Sequence, residues 1–129
     1  MPSVLIVCDI PDDEEENFWS HAERAMRRLG LTTSLACDGR DALVMGARES
    51  YDLVLVHPLL KTVTPKKMVA FFKARPVPPI VVLMVENGEP EVRQREAERL
   101  GAVGCAYYQQ GVEGLAAQTA RFLEPAEPR

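Results

Sequence analysis

A thiol, a carboxylate and an imidazole stand at the ends of short apolar runs, and they are the side chains best suited to chemistry. Cys8 and Asp9 close the first run, and His57 follows the third. All three are ligands that Zn²⁺ accepts, and an imidazole also acts as a base or nucleophile near neutral pH. A zinc site would lack a fourth ligand, because neither CxxC nor HxxxH spacing occurs. No Ser, His and Asp grouping accompanies His57, so packed, hydrogen-bonded roles are favoured for all three.

The apolar runs that carry these residues recur along the whole chain. They are rich in Val, Ile and Leu, which is typical of strands buried on both faces of a sheet. They predict strands over residues 3–8, 32–37, 53–56, 80–85 and 102–107. A segment with helical periodicity follows each run. This alternation predicts a (βα)5 chain, in which a parallel sheet lies between two layers of helices as a three-layer α/β sandwich.

Apolar faces and capping residues mark the helical segments. The first helix is expected to begin near residues 12–13, and its predicted inner face is Phe18, Ala22, Ala25, Met26 and Leu29. The second is expected from about residue 41, with the inner face Ala42, Leu43, Val44 and Ala47. Thr64 followed by Pro65 indicates the start of the third. Two further helices are expected over about residues 89–100 and 112–123.

Length, charge and composition limit the class of protein. A chain of 129 residues is the size of one domain, expected over 1–123, with 124–129 as a tail or the start of a linker. The net charge of −4 argues against a nucleic-acid partner. No apolar run approaches the roughly 20 residues that cross a bilayer, and no signal peptide is evident, so a cytoplasmic protein is expected. Cys8, Cys37 and Cys105 lack paired spacing and are interpreted as small buried hydrophobic residues.

Several segments resemble one known family. They are VLIVCDIPD at 4–12, ACDGRDAL at 36–43, YDLVLV at 51–56 and LGA at 100–102. Together they resemble the receiver domains of two-component response regulators, over about residues 3–123. The resemblance implies a flavodoxin-like sheet with strand order 2-1-3-4-5. It also implies a phosphorylation site at the carboxyl ends of the strands.

The resemblance assigns family roles to three residues of the expected site. Receivers end the first strand with two acids that hold Mg²⁺, and the matching residues are Cys8 and Asp9. Mg²⁺ prefers oxygen ligands, so its affinity here should be weak. The aspartate that accepts the phosphoryl group matches His57, and an imidazole cannot form an acyl phosphate. Ordinary receiver phosphorylation is therefore not expected.

The residues at the remaining family positions also lack the functional groups that receivers use there. The Ser or Thr that binds the phosphoryl oxygen matches Met84, which has no hydrogen-bond donor. The lysine that balances the phosphoryl charge matches Tyr108, and the aromatic switch residue matches Cys105. Only Asp9 keeps the family's chemistry, so the resemblance implies a pseudo-receiver.

The functional prediction is a phosphorylation-independent module for protein interaction or dimerisation in signalling or regulation, with no enzymatic activity and no cofactor or bound metal. Its partner, or a second copy, is expected on the face of the fourth helix, fifth strand and fifth helix. The residues expected there are Arg93, Arg95, Glu96, Arg99, Tyr107, Gln118 and Arg121.

Two alternatives remain open. One is a sensor that binds a small molecule or a metal in the crevice around Cys8, Asp9, His57 and Tyr108. The other is a small hydrolase or transferase on the same sheet, although no nucleophile for it is identifiable.

Overall fold

Strand order fixes which residues meet at the edge of the sheet. In the computed structural model, which describes residues 1–9 and 18–124, five parallel strands form one sheet in the order β2-β1-β3-β4-β5. The strands are β1 (Ser3–Val7), β2 (Thr32–Ala36), β3 (Leu53–Val56), β4 (Ile80–Val85) and β5 (Gly104–Tyr107). The predicted fold class and strand order are confirmed.

Helices follow each strand and cover both faces of the sheet. They are α1 (Phe18–Arg28), α2 (Gly39–Arg48), α3 (Pro65–Lys73), α4 (Pro90–Leu100) and α5 (Val112–Phe122). The predicted start of α1 at residues 12–13 lies outside the described residues. Thr64 caps α3 as predicted, because its hydroxyl accepts from the backbone N–H of Lys67. No helix among the described residues is long and apolar enough to cross a bilayer.

Successive side chains of the central strands point to opposite faces of the sheet and so belong to two core clusters. Val4 and Ile6 of β1 face the layer of α1 and α5, whereas Leu5 and Val7 face the layer of α2, α3 and α4. All four side chains are buried. The same alternation in β3 and β4 gives a core on each face of the sheet, as expected for strands between two helical layers.

Some predicted inner positions are wrong. Leu29 is exposed because α1 ends at Arg28 and the chain reverses through Gly30, whose φ of 86° is left-handed. Val44 and Ala47 are exposed because α2 turns its smaller residues, Ala42 and Gly46, towards the core.

The start of α2 and the environment of Cys37 also differ from the prediction. The helix begins at Gly39, before residue 41, because the Asp38 carboxylate caps it by accepting from the backbone N–H of Asp41 at 2.8 Å. Cys37 is exposed, since it follows β2 at the outer edge of the sheet.

Candidate functional site

The parallel register brings the predicted site residues to one edge of the sheet. Val7 pairs with Val56, and Val85 pairs with Tyr107. The next residues along these strands, Cys8, His57 and Tyr108, therefore lie at the carboxyl ends, where open α/β sheets bind ligands.

Two of the predicted site residues lie beneath this edge rather than at its surface. Cys8 and Met84 are buried in the cluster that faces α1 and α5. Burial raises the pKa of the Cys8 thiol to about 12, and the negative charge of Asp9 adds to this effect. Cys8 is thus a small hydrophobic residue, as predicted, and its thiol does not face the crevice as a ligand would.

Asp9 uses its carboxylate to hold the loop after β3. Its Oδ2 atom accepts from the backbone N–H of Lys61 at 2.9 Å. Its Oδ1 atom is buried and has no hydrogen-bond partner among the described residues. A single carboxylate beside a buried thiol does not fit Mg²⁺, which prefers an octahedral set of oxygen ligands. In the described part of the chain, no three His, Cys, Asp or Glu side chains are grouped as a metal site would require.

His57 is hydrogen-bonded through both ring nitrogens. Nδ1 accepts from the backbone N–H of Leu59 at 3.2 Å, and Nε2 lies 3.3 Å from the hydroxyl oxygen of Tyr108. An Nδ1 that accepts carries no proton, so the neutral ring has its proton on Nε2 and donates to Tyr108. Burial lowers the pKa of His57, and the negative charge of Asp9 opposes that shift. The geometry and the burial both favour the neutral ring.

An aromatic cluster of Phe18, Trp19, His57 and Tyr108 lies against this edge. The Trp19 ring makes edge contacts with the rings of His57 and Tyr108, at centroid distances of 5.6 and 5.3 Å. Phe18 contacts Trp19 and Tyr108. Burial, together with Glu86, raises the pKa of Tyr108, so its hydroxyl stays protonated. The cluster places neutral rings where the resemblance expects charged groups.

Sequence analysis missed Trp19, although a signal was present. Trp19 is the chain's one tryptophan and follows Phe18, which was expected on the inner face of the first helix. A large aromatic side chain next to an inner-face position of the helix that follows β1 is a candidate for contact with the strand ends, although periodicity does not say which residue it contacts.

Cys105 and Gln118 shape the outer edge of β5. The Cys105 thiol donates to the carbonyl oxygen of Arg93 at 3.1 Å, and burial raises its pKa to about 11. The Gln118 amide accepts from the N–H of Tyr107 and donates to its carbonyl, both at 2.8 Å. Because β5 is an edge strand, Gln118 occupies backbone groups that a further strand would use.

Cavities open beside this site and on the face of α4, β5 and α5. One of about 340 Å³ borders Tyr108 and is lined by Pro58, Leu59, Val85, Glu86, Asn87, Arg93 and Glu96 as well. Cys8, Asp9 and His57 do not line it. Two more, of about 320 and 340 Å³, share Gln118 and Arg121. Of the residues predicted to form the crevice, the first of these cavities therefore borders only Tyr108.

Comparisons with known proteins identify the fold. No protein-family model and no curated protein matches the sequence. The structure is similar to the chemotaxis response regulator CheY4 of Vibrio cholerae, with a TM-score of 0.74 and 20% identity over 94% of this chain and 98% of that one. It is also similar to the magnesium-bound receiver domain of sensor histidine kinase PA1611 from Pseudomonas aeruginosa PAO1, with a TM-score of 0.68 and 21% identity over 95% and 93% of the two chains.

A third similar structure belongs to a family of redox sensors in the streptococci that evolved from two-component response regulators. Its TM-score is 0.72 at 17% identity, over 94% of this chain and 50% of that chain. The matches to CheY4 and to PA1611 span nearly the whole of both chains. The chain therefore has the fold of a response-regulator receiver domain.

Proposed function

We propose that this chain is a pseudo-receiver, a non-enzymatic cytoplasmic module of signalling or regulation that works without phosphorylation at the end of β3. Its output is contact with a protein partner or with a second copy. The observation that carries the proposal is the environment of His57. Its ring occupies the position that the resemblance assigns to the phosphoryl acceptor, and both of its nitrogens are hydrogen-bonded.

The chemistry of phosphoryl transfer supports this reading. Receiver phosphorylation needs a carboxylate acceptor, oxygen ligands for Mg²⁺ and a cation that balances the phosphoryl charge. At the matching positions this chain has His57, the buried thiol of Cys8 and the neutral hydroxyl of Tyr108. Among the matched positions Asp9 has the one carboxylate, and one of its oxygens accepts from the backbone N–H of Lys61 in the loop after β3. We infer that these positions do not meet the three requirements.

One similar structure shows that a protein with the receiver fold can respond to a signal other than phosphorylation. The streptococcal proteins are described as redox sensors that evolved from two-component response regulators. By analogy, a receiver fold in this chain can serve regulation after the phosphorylation chemistry has changed.

The exposed residues and cavities on the face of α4, β5 and α5 favour a role in binding another protein. Arg95, Arg99 and Arg121 are exposed there, and two cavities open between β5 and α5. Arginine is enriched at protein interfaces, and shallow cavities accept side chains of a partner. Gln118 covers the backbone of β5, so a partner would contact side chains on this face.

Beryllofluoride and acetyl phosphate with Mg²⁺ test the loss of phosphorylation directly. Trp19 reports the result, since its ring lies 5.6 Å from that of His57. We expect no change in Trp19 fluorescence or in the amide shifts around His57 at millimolar phosphodonor. The positive control is a receiver domain that keeps the acceptor aspartate and both acids after the first strand, treated in the same way, and its amide shifts should respond. A response of the wild-type chain would contradict the proposal.

Charge reversal on the proposed face tests the output. The variant R121E with Y107A should lose the proteins that co-purify with the wild-type chain, or its self-association in sedimentation velocity. The control R24E changes an exposed arginine on α1, on another face. Equal loss in both variants, or no loss in either, would place the contact elsewhere.

A further inference from the structure

One stretch of this acidic chain carries a net positive charge. Residues 53–85 contain no Asp or Glu, yet they hold all four lysines and Arg75, in a chain whose net charge is −4. Three of the lysines, Lys61, Lys66 and Lys67, lie in the loop after β3 and in the first turn of α3, and all three are exposed. These three residues form the lysine patch.

Two lysines of the patch stand where a helix disfavours them. Lys66 and Lys67 directly follow Pro65, the first residue of α3, at the positive end of the helix dipole, and the first turn holds no acid. Lys73, in the last turn, has the favourable placement. Arg75 is engaged at the same end, because it donates to the carbonyl of Ala47 and lies 5.5 Å from the Phe71 ring centroid.

The charge of the patch is not neutralised within the described ranges, 1–9 and 18–124. The ion pairs found there join Arg27 to Glu23, Arg28 to Glu113 and Arg93 to Glu96. No carboxylate of these ranges pairs with a lysine of the patch. Among the described residues, the three cations of the patch therefore have no ion-pair partner.

The patch is held in place by the site residues and has an apolar neighbour. Asp9 accepts from the backbone N–H of Lys61, and His57 accepts from that of Leu59. The side chain of Leu59 is 72% exposed, and Pro58 beside it is half-buried. The loop after β3 thus presents a large apolar side chain two residues from Lys61, on a backbone held by two hydrogen bonds.

We propose that the lysine patch and Leu59 bind a short acidic segment of a partner protein that also carries an apolar side chain. The inference rests on the proposed docking function and adds a surface separate from the face of α4, β5 and α5. The cations would attract the acidic residues, and Leu59 would cover the apolar one. A nucleic acid fits less well, because its long phosphate backbone would meet a chain of negative net charge.

Fluorescence anisotropy with a short labelled peptide tests the proposal. The peptide consists of Asp and Glu with two central leucines, and it is titrated with the full chain at low salt. Binding should weaken about ten-fold, or about 1.4 kcal/mol, in the variant K66Q with K67Q, since two exposed ion pairs with the peptide are lost. The control K73Q with R75Q removes the same charge from the other end of α3 and should bind like the wild type.

The stability of the lysine variants distinguishes a binding role of the patch from a structural one. Removing cations from the amino end of α3 should leave the chain as stable as the wild type or more so, whereas K73Q should lower stability. Weaker binding in a chain that is no less stable supports the proposal. The variant L59S, or a peptide with alanines in place of leucines, should also bind more weakly.

Three results would overturn this inference. They are no binding of the peptide to the wild-type chain, equal weakening by the two lysine variants, or tighter binding of a single-stranded oligonucleotide than of the peptide. None of them bears on the beryllofluoride test or on the variant R121E with Y107A. A failure here is therefore distinguishable from a failure of the proposed function.

Discussion

The hydroxyl oxygen of Tyr108 lies 3.3 Å from Nε2 of His57, so the ends of β3 and β5 are joined across the end of β4. Met84, near the end of β4, is fully buried. With Trp19 packed on both rings, the strand ends are closed by neutral aromatic side chains. His57, Tyr108 and Trp19 therefore form one packed aromatic cluster at the strand ends.

Acidification should destabilise the chain through His57. Its pKa is lowered by burial relative to the usual 6.5, so a proton binds the unfolded chain more readily than the folded one. The stability that the neutral ring contributes is therefore complete above about pH 6.5 and is lost as the pH falls through the lower folded pKa. Protonation also removes the Nδ1 acceptor for the N–H of Leu59. Urea unfolding between about pH 8 and pH 5 measures the loss.

The variant H57Q provides the comparison for this pH dependence. We expect H57Q to flatten the decline that the wild type shows below about pH 6.5. Trp19 fluorescence should follow the same titration in the wild type, because a protonated imidazole in ring contact quenches indole. An unchanged profile in H57Q would assign the decline to other groups.

Thiol reagents should distinguish the three cysteines. Cys37 is exposed, whereas Cys8 is buried and Cys105 is half-buried. With pKa values of about 12 and about 11, only about one in ten thousand Cys8 thiols and one in a thousand Cys105 thiols are ionised at pH 8. We therefore expect one fast equivalent of label by mass spectrometry, which the variant C37S abolishes. Fast labelling of C37S would show that the core around Cys8 or Cys105 opens readily.

The pattern of apolar residues along the strands explains why the fold could be predicted from the sequence. The runs of β1, β3 and β4 are apolar at successive positions, and only a sheet covered on both faces buries such runs. The ends of parallel strands share one edge, so the sequence also placed Cys8, Asp9 and His57 at the same edge. This part of the prediction depends on local pattern and topology alone.

Contacts between distant segments could not be read from those patterns. The bond from His57 to Tyr108 and the ring contacts of Trp19 depend on side-chain directions that periodicity does not determine. The inner face of α2 was wrong for a related reason. Val44 is more apolar than Gly46, yet Val44 is exposed. Gly46 faces the core because α3 approaches α2 so closely that only a residue without a side chain fits there.

Substituting Gly46 by alanine should destabilise the chain. Within a helix, this change usually stabilises by about 1 kcal/mol. Here the added Cβ would lie 2.5 Å from Cε1 of Phe72 and 2.9 Å from Cε2 of Phe71. Overpacking of this kind costs about 1–3 kcal/mol, so we expect a net loss in the free energy of unfolding. Urea denaturation measures it.

The control for this substitution is G114A in α5. A Cβ at Gly114 would have its nearest neighbour, Gln110 Cβ, at 3.5 Å, an ordinary contact. G114A should therefore leave stability unchanged or raise it by up to about 1 kcal/mol. The double variant G46A with F72L makes room at the contact and should recover part of the loss. A stabilising G46A would mean that α2 and α3 separate easily.

Removing the Gln118 side chain should uncover the edge of β5. Gln118 makes two hydrogen bonds to the backbone of Tyr107 on the side of the strand away from β4. In Q118A both backbone groups lose their partners, and at about 1 kcal/mol for each bond the free energy of unfolding should fall by about 1–2 kcal/mol. The uncovered edge can then pair with another chain, so sedimentation velocity should detect more self-association than in the wild type.

The exposed neighbour Gln109 supplies the matched control, since Q109A makes the same chemical change without touching the edge. The isosteric variant Q118E is also informative: it keeps an acceptor for the N–H of Tyr107 but cannot donate to its carbonyl. We expect Q118E to lie between Q118A and the wild type in stability, and its added charge should oppose edge pairing. If Q118A stayed as monodisperse as Q109A, neighbouring side chains would be protecting β5.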